Sequence, residues 1–244
     1  MAAIALLHAF PLGPEMFAAQ QQALTSAGHE VMVPSLLHPS QPYPDRPDLA
    51  AMADEVFRVM NGLGHRRFAV AGLSMGGYVA MAMLRADSAA IDGLALLDTR
   101  ASPDTEVAAQ GRLDYAERVL GEGMGWVPGA TISGLLGETT RNSRPAVVQR
   151  VTDWILAADP VAVAWAQRAM AARPDSRAQL MLFRRPALVL LGQEDTLTPL
   201  PESLDMAQAL GGAPMTEIAG AGHLSCVETP NRVSEQLLSW AGRL

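Results

Sequence analysis

The sequence of 244 residues contains no lysine, because all 18 of its basic residues are arginines. This absence excludes enzymes that form a Schiff base through a lysine amine, pyridoxal enzymes among them. It also excludes P-loop nucleotide hydrolases, whose phosphate-binding loop needs a lysine. The chemistry of this chain must therefore depend on other side chains.

Cysteine and positive charge are also scarce. Cys226 is the only cysteine, so the chain can form neither an internal disulfide nor a metal site built from several thiolates. The formal net charge of −7 argues against a nucleic-acid partner, since such proteins bind phosphates through clustered cations. The apolar run at residues 4–7 is too short for a signal peptide or a membrane span. We therefore expect a cytoplasmic protein with no membrane partner, and the sequence leaves the oligomeric state open.

The chain has enough apolar material for one large core. Hydrophobic residues make up 49% of it and charged residues 18%, whereas disordered chains have the opposite balance. A chain of this length commonly forms a single α/β domain. Short apolar runs alternate with helix-like segments, which is typical of a mainly parallel twisted sheet with helices on both faces. The six predicted strands are residues 4–7, 30–33, 68–71, 94–97, 187–191 and 215–218.

The alternation of strands and helices stops between residues 100 and 183. This stretch has no clear strand but holds three of the four tryptophans, Trp126, Trp154 and Trp165. Helices inserted between two core strands would cover one end of the sheet, where loops commonly build sites. We therefore predict an α/β core at residues 1–99 and 184–244, with a helical lid at residues 100–183 inserted after the fourth strand.

Residues 72–76 read Gly-Leu-Ser-Met-Gly and directly follow the third predicted strand. A helix-like run comes next, and a G-x-S-x-G motif between strand and helix makes a sharp turn that exposes the serine at the carboxyl edge of the sheet. The alternative interpretation of so short a motif is an ordinary glycine-rich turn. Its position between strand and helix favours Ser74 as a nucleophile.

A serine nucleophile needs a base that takes its proton, and the chain offers five histidines. His29 and His65 precede strands, at the opposite edge of the sheet from Ser74. His38 lies in a proline-rich loop, where we expect it to face solvent. His8 ends the first strand directly at the backbone turn beside the predicted site. This leaves His223, which follows the last predicted strand at the correct edge and is favoured as the base.

The third member of such a triad holds the imidazole in the right tautomer. Asp195 follows the fifth predicted strand, again at the correct edge. Glu194 is adjacent, but an offset of one residue usually points a side chain elsewhere. Asp98 ends the fourth predicted strand and is a serious rival, although it could instead be a capping or turn carboxylate. We favour Asp195 and keep Asp98 as the alternative.

Four motifs in this order resemble the α/β-hydrolases, in particular their lid-bearing esterase, lactonase and C–C hydrolase group. The motifs are His-Ala-Phe-Pro at 8–11, the Gly-x-Ser-x-Gly-Gly at 72–77, the segment 192–199 and the segment 220–230. The resemblance spans nearly the whole chain and implies a triad of Ser74, Asp195 and His223. It also implies an oxyanion hole formed by the backbone N–H groups of Phe10 and Met75.

Two finer features bear on this resemblance. The segment Asp-Thr-Arg at 98–100 is most similar to bacterial enol-lactonases and esterases. The family usually has glycine where this chain has Ala9, and a Cβ there narrows the space beside the Phe10 N–H. Because alanine reaches most backbone conformations except those with positive φ, we expect this loop to tolerate it.

These residues together predict a serine hydrolase that cleaves a small-molecule carboxylic ester or lactone through an acyl-enzyme on Ser74. The mechanism requires no metal and no organic cofactor. C–C bond hydrolysis, cofactor-free perhydrolysis and biosynthetic acyl transfer could use the same triad, since neither fold nor triad chooses among them. A ligand-binding relative without catalysis is a further alternative, which an intact triad disfavours.

Overall fold

A six-stranded sheet runs through the protein, whose computed structural model describes residues 1–37 and 47–244. The strand order is β2-β1-β3-β4-β5-β6, and every neighbouring pair is parallel. Four of the strands are buried along almost their whole length, because their Ala-, Val- and Leu-rich sequences face helices on both sides. The predicted fold class is confirmed. The strands are β1 (Ala3–Leu7), β2 (Glu30–Met32), β3 (Phe68–Leu73), β4 (Ile91–Leu97), β5 (Ala187–Gly192) and β6 (Met215–Ile218).

Helices connect the strands, and two short 3-10 turns, Pro14–Phe17 and Ser88–Ala90, supplement them. The first three helices are α1 (Ala18–Ser26), α2 (Leu49–Gly62) and α3 (Met75–Asp87). Between β4 and β5 lie α4 (Glu106–Glu122), α5 (Val127–Leu135), α6 (Glu138–Ser143), α7 (Pro145–Ala157), α8 (Pro160–Ala171) and α9 (Arg177–Leu182). The last three are α10 (Leu200–Ala209), α11 (Ser225–Glu228) and α12 (Pro230–Ala241).

The strand order reverses between β1 and β3. The chain passes from β1 outward to β2, and then returns to β3 on the other side of β1. Because crossovers between parallel strands are right-handed, α1 lies on one face of the sheet and α2 and α3 on the other. Accordingly, α1 packs against α12, and α2 packs against α3. Such a reversal leaves a crevice at the carboxyl ends of the strands, where ligands bind in open α/β sheets.

The segment predicted to be a lid contains the six helices α4 to α9 and no strand. Its longest helix, α4, packs along α8. The final helix of this segment, α9, instead contacts α3 and α10 beside the sheet. In the ranges that the structure describes, no helix combines the length and the apolar character needed to cross a membrane.

Candidate active site

Ser74 lies at a sharp turn between β3 and α3. Its φ of 54° is in the left-handed region, which costs about 1–3 kcal/mol for a residue with a Cβ. The packing of the neighbouring glycines holds this turn in place. A Cβ at Gly72 would overlap the backbone of Gly76, and one at Gly76 would overlap the carbonyl of Leu7 in β1. The motif therefore brings strand and helix together and leaves the Ser74 side chain half-buried at the carboxyl edge of the sheet.

Ser74, His223 and Asp195 form a continuous chain of hydrogen bonds. Ser74 Oγ lies 2.7 Å from His223 Nε2, and His223 Nδ1 lies 2.8 Å from Asp195 Oδ2. Burial raises the pKa of Asp195, but hydrogen bonds from His223 and Thr198 outweigh it and hold this pKa below its ordinary value. The group is therefore a carboxylate that can only accept hydrogen bonds, which puts a hydrogen on Nδ1 and leaves Nε2 to accept the Ser74 proton.

The loop after β5 fixes the orientation of the Asp195 carboxylate. Its Oδ1 accepts hydrogen bonds from the backbone N–H groups of Leu197 at 2.8 Å and Thr198 at 3.1 Å. Its Oδ2 accepts the Thr198 hydroxyl at 2.5 Å as well as the His223 ring. The two oxygens thus have different partners, and only Oδ2 faces the imidazole.

Asp98, the rival acid, makes no hydrogen bond to His223. It is fully buried, and its Oδ1 accepts the backbone N–H of Gly192 at 2.6 Å. Its Oδ2 accepts the hydroxyl of Ser225. Burial and the nearby charge of Asp195 raise the pKa of Asp98 well above its ordinary value. Asp98 therefore connects the ends of β4 and β5 to the segment that follows the histidine.

Two of the other histidines, His29 and His65, do not meet Ser74. His29 precedes β2 and accepts the backbone N–H of Ala2 at 3.4 Å. His65 precedes β3, and its ring lies 2.8 Å from the carboxylate of Glu30. Both histidines lie at the amino edge of the sheet, opposite the serine. His38, which we expected to face solvent, lies outside the described residues.

The turn after β1 is held by the remaining histidine. His8 is fully buried, and its Nδ1 donates to the carbonyl of Ala9 at 3.0 Å while its Nε2 accepts the N–H of Leu36 at 2.8 Å. These bonds give His8 a role in anchoring the turn. Ala9 is also fully buried, and its φ is not positive. Alanine can therefore adopt the backbone conformation at this position as readily as glycine can.

Two backbone donors lie beside Ser74. Met75 begins α3, so its N–H is one of the first-turn groups that have no partner inside the helix. Phe10 lines the same cavity as Ser74. In the described part of the chain, neither N–H has a hydrogen-bond acceptor. Neither N–H group is therefore committed to an acceptor within the described residues.

A cavity of about 340 Å³ opens above Ser74 and His223. Part of its wall is polar and comes from Arg100, which follows β4, from α4 and from α8. Another part is apolar or small and comes from α5 and from the loop after β5. The polar wall includes Arg100, Arg112, Tyr115 and Gln167, and the apolar wall includes Ala130, Gly134, Leu135 and Leu197.

The loops of the histidine and the acid are joined to α6. The buried carboxylate of Glu228 accepts the N–H of Gly137 and the N–H of Gly222, both at 2.9 Å. Glu194, which neighbours Asp195, accepts the backbone N–H of Thr139 at 2.8 Å and its hydroxyl at 2.5 Å. Glu194 thus points away from the histidine, as its offset predicted. Two carboxylates therefore hold the start of α6 against the segments that carry Asp195 and His223.

Burial raises the pKa of Glu228 above its ordinary value, although four hydrogen bonds oppose this shift. Arg144, between α6 and α7, strengthens the same junction. Its guanidinium donates to the carbonyls of Gly220 at 3.1 Å and Glu228 at 2.9 Å. The backbone N–H of Leu224 donates to the carbonyl of Leu135 at 3.1 Å. This part of the helical segment is therefore docked on the histidine loop.

Several residues of the site carried no signal in the sequence pattern. Thr198 and Ser225 orient the carboxylates, but single hydroxyl residues in loops are common. Arg112 and Tyr115 reach the cavity from α4, and Gln167, which Arg112 bonds there, lies 55 residues away in the chain. One signal was available for Glu228, because it belongs to the motif at residues 220–230 on which the resemblance rests.

Comparisons with known proteins agree with this fold. A family model described as alpha/beta hydrolase fold matches residues 2–230. No curated protein matches the chain. Among solved structures, the chain is similar to a malate-bound thermophilic esterase from Thermogutta terrifontis, with 38% identity, a TM-score of 0.94 and coverage of 99% of this chain and 89% of that one.

Two further structures share the fold. An enol-lactonase from Burkholderia xenovorans LB400 has 24% identity and a TM-score of 0.88, covering 99% of this chain and 91% of that one. A hydrolase from Pseudomonas aeruginosa PA01 has 26% identity and a TM-score of 0.86, covering 99% and 90%. The family model and the esterase cover nearly all of the chain. The chain belongs to the alpha/beta hydrolase fold family.

Proposed function

We propose that the protein is a serine hydrolase that cleaves a carboxylic ester or lactone through an acyl-enzyme on Ser74. The observation that carries this proposal is the hydrogen-bonded chain from Ser74 through His223 to Asp195 at the base of an open cavity. The similarity to the Thermogutta esterase supports ester cleavage. The enol-lactonase shares the fold, which is compatible with a cyclic ester as substrate.

In the first step, Ser74 Oγ attacks the ester carbonyl carbon while His223 Nε2 takes its proton. A serine hydroxyl is a weak nucleophile by itself, and the 2.7 Å contact lets the imidazole remove this proton as the new bond forms. The imidazole becomes positively charged, and the Asp195 carboxylate at 2.8 Å from Nδ1 stabilises that charge. His223 then gives the proton to the leaving alkoxide, which departs as an alcohol.

The carbonyl oxygen becomes negatively charged during this attack. We assign its stabilisation to the N–H groups of Phe10 and Met75, which have no acceptor in the described part of the chain. Donors that are already in place stabilise the developing charge without reorganising, which is commonly the largest single contribution to catalysis.

In the second step, water hydrolyses the acyl-enzyme. His223 Nε2 accepts a proton from a water molecule as its oxygen attacks the acyl carbon, and then returns this proton to Ser74 Oγ. The products are a carboxylic acid and the free serine. Each step moves one proton near neutral pH, which suits an imidazole.

We also propose that residues 100–183 act as a lid over a core formed by residues 1–99 and 184–244. Helices α4 and α5 supply much of the cavity wall, so they select what reaches Ser74. Helix α6 is instead joined to the histidine loop through Glu228. Substrate selection is therefore assigned to α4 and α5.

The test of this function combines labelling with turnover. A fluorophosphonate should modify Ser74 alone, and Ser74→Ala should lower kcat by roughly 10³-fold or more without unfolding the protein. The control is Ser239→Ala, because Ser239 is exposed on α12. A panel of aryl esters and lactones of increasing acyl length measures the activity. Labelling of another serine, or substantial turnover by Ser74→Ala, would contradict the proposal.

A further inference from the structure

The cavity beside Ser74 has a positively charged wall. Arg100 follows β4 by three residues, and Arg112 lies in α4, so two separate elements bring guanidinium groups to the same cavity. Both side chains are mostly buried, with 26% and 20% of their surfaces exposed. A buried guanidinium is unfavourable unless an anion accompanies it. The acids around these two arginines therefore decide whether the wall is neutral.

One buried acid, Asp104, is shared by three arginines. Arg173 donates to both of its oxygens, at 2.6 Å and 2.7 Å. Arg112 Nε donates to Oδ2 at 2.6 Å. Arg100 is farther away, with its Nη2 at 3.5 Å from Oδ1. The short bonds to this carboxylate are thus made by Arg173 and Arg112, which leaves Arg100 with the weakest pairing.

The count of charges leaves this cluster positive. Three guanidinium groups face Asp104. Arg100 also interacts with the hydroxyl of Tyr78 and, more remotely, with the charge of Glu202, whose carboxylate accepts the Ser102 hydroxyl at 3.0 Å. Three positive and two negative charges leave one positive charge in excess. The buried Nε of Arg100 has no hydrogen-bond partner among the described residues.

A further donor at this wall has no partner. The hydroxyl of Tyr115 is buried and makes no hydrogen bond within the described ranges of the chain. The Tyr115 ring lies edge-on to Phe10 at 5.9 Å, beside the turn that follows β1. Buried polar groups normally have partners, so a donor without one is free to bind a group that enters the cavity. The wall therefore presents unused donors and an unbalanced positive charge.

We propose that the substrate of this site carries a carboxylate, which Arg100 binds at the polar wall while Ser74 attacks the ester bond. This inference rests on the proposed function and names its substrate class. Guanidinium groups bind carboxylates through short, charge-assisted hydrogen bonds. The apolar wall formed by Ala130, Gly134 and Leu135 then contacts the uncharged part of the substrate.

Two pairs of esters test this assignment, one for each side of the ester bond. Monoethyl succinate carries a carboxylate on its acyl chain, and ethyl 4-oxopentanoate replaces it by an uncharged methyl ketone of similar size. Acetoxyacetate carries the carboxylate on its alcohol side, and acetoxyacetone is the matched neutral ester. Release of alcohol or acid gives kcat/KM for all four. In at least one pair, the anionic ester should be hydrolysed with a kcat/KM about tenfold to a hundredfold higher.

Arg100→Gln should lower that preference about tenfold or more, and Arg100→Lys should retain part of it, because lysine keeps the charge but not the planar pair of donors. Arg100 is the better position for this substitution than Arg112, because replacing Arg112 would also remove its hydrogen bond to Asp104. The matched control is Arg150→Gln, because Arg150 is exposed on α7, where its guanidinium lies over the ring of Trp154. This control should leave the preference unchanged.

Binding gives a readout that does not depend on turnover. Titration calorimetry of Ser74→Ala with succinate should show binding, and adding Arg100→Gln should weaken it about tenfold or more. If neutral esters are hydrolysed through Ser74 without any preference for charge, the carboxylate inference is wrong and the proposed function stands. If succinate binds through Arg100 but no ester is hydrolysed, the proposed function is wrong instead. Absence of both preference and binding overturns the inference.

Discussion

The two buried aspartates at the carboxyl edge of the sheet should respond differently to the same substitution. In Asp195→Asn, the position of Oδ1 must be taken by the amide oxygen, because two backbone N–H groups donate to it at 2.8 Å and 3.1 Å. The amide NH2 group is then directed at His223 Nδ1, where Oδ2 now lies at 2.8 Å. A donor in this place forces Nδ1 to accept, so the ring hydrogen moves to Nε2.

An imidazole with its hydrogen on Nε2 cannot take the proton of Ser74. The expected loss in kcat is on the order of 10⁴-fold, as in a serine protease triad in which the aspartate becomes asparagine. Asp98→Asn should have a much smaller effect. Its amide oxygen can accept from Gly192, and its NH2 group can donate to the Ser225 hydroxyl, so both connections of Asp98 survive. Because Asp98 does not touch His223, we expect less than about a tenfold loss.

Steady-state hydrolysis of an activated aryl ester such as 4-nitrophenyl acetate measures both variants, and thermal unfolding checks that each retains its fold. The raised pKa of Asp98 agrees with a small effect, because an amide resembles a protonated carboxyl group more closely than a carboxylate. The reasoning fails if Asp98→Asn loses more activity than Asp195→Asn while both variants unfold at the wild-type temperature. The acid would then be Asp98.

Three further predictions concern the reaction medium, the turn after β1 and the docking of α6. A chelator should leave the rate unchanged, because the proposed mechanism requires no metal; loss of activity in chelator that a divalent ion restores would contradict it. Ala9→Gly should change kcat by much less than the 10²-fold expected for loss of an oxyanion donor, since φ at this position is not positive. Steady-state kinetics on a small and a branched ester measure this change, and a hundredfold drop in kcat on both esters would contradict the prediction. Each carboxylate oxygen of Glu228 accepts one backbone N–H, and Glu228→Gln replaces one of these oxygens by an NH2 donor. The substitution should therefore lower the free energy of unfolding by about 1–3 kcal/mol. An unchanged denaturation midpoint would contradict this docking role.

The arrangement of the sheet was predictable because its strands are buried on both faces. Such strands are continuous apolar runs, and all six predicted runs correspond to strands, with ends that differ by up to three residues. The same pattern predicted where the residues of the site lie. Since parallel strands end at one edge, residues that directly follow β3, β5 and β6 had to lie near one another. The structure brings Ser74, Asp195 and His223 within hydrogen-bonding distance there, and their catalytic roles stay predictions.

The contacts that surround this site were not predictable from the same pattern. Glu228 bonds Gly137, which lies 91 residues away in the chain, and Arg112 bonds Gln167, which lies 55 residues away, and no periodicity relates these pairs. The function of Asp98 was left open because position at a strand end does not reveal which way a carboxylate points. Its bonds to Gly192 and Ser225 depend on how β5 and α11 meet, which is a property of tertiary packing.

The insertion of helices between β4 and β5 separates the residues of the site along the chain. Ser74 precedes these helices, whereas Asp195 and His223 follow them. In the loop between α4 and α5, a Cβ at Gly123 or Gly125 would meet no other atom within 4 Å, so the backbone at these two glycines is accessible for a chain break. A fragment ending in this loop would contain Ser74, and the complementary fragment would contain Asp195, His223 and α6 with its docking contacts. Neither fragment holds all three residues of the proposed triad, so ester hydrolysis by their mixture would report reassembly of the parallel sheet between β4 and β5.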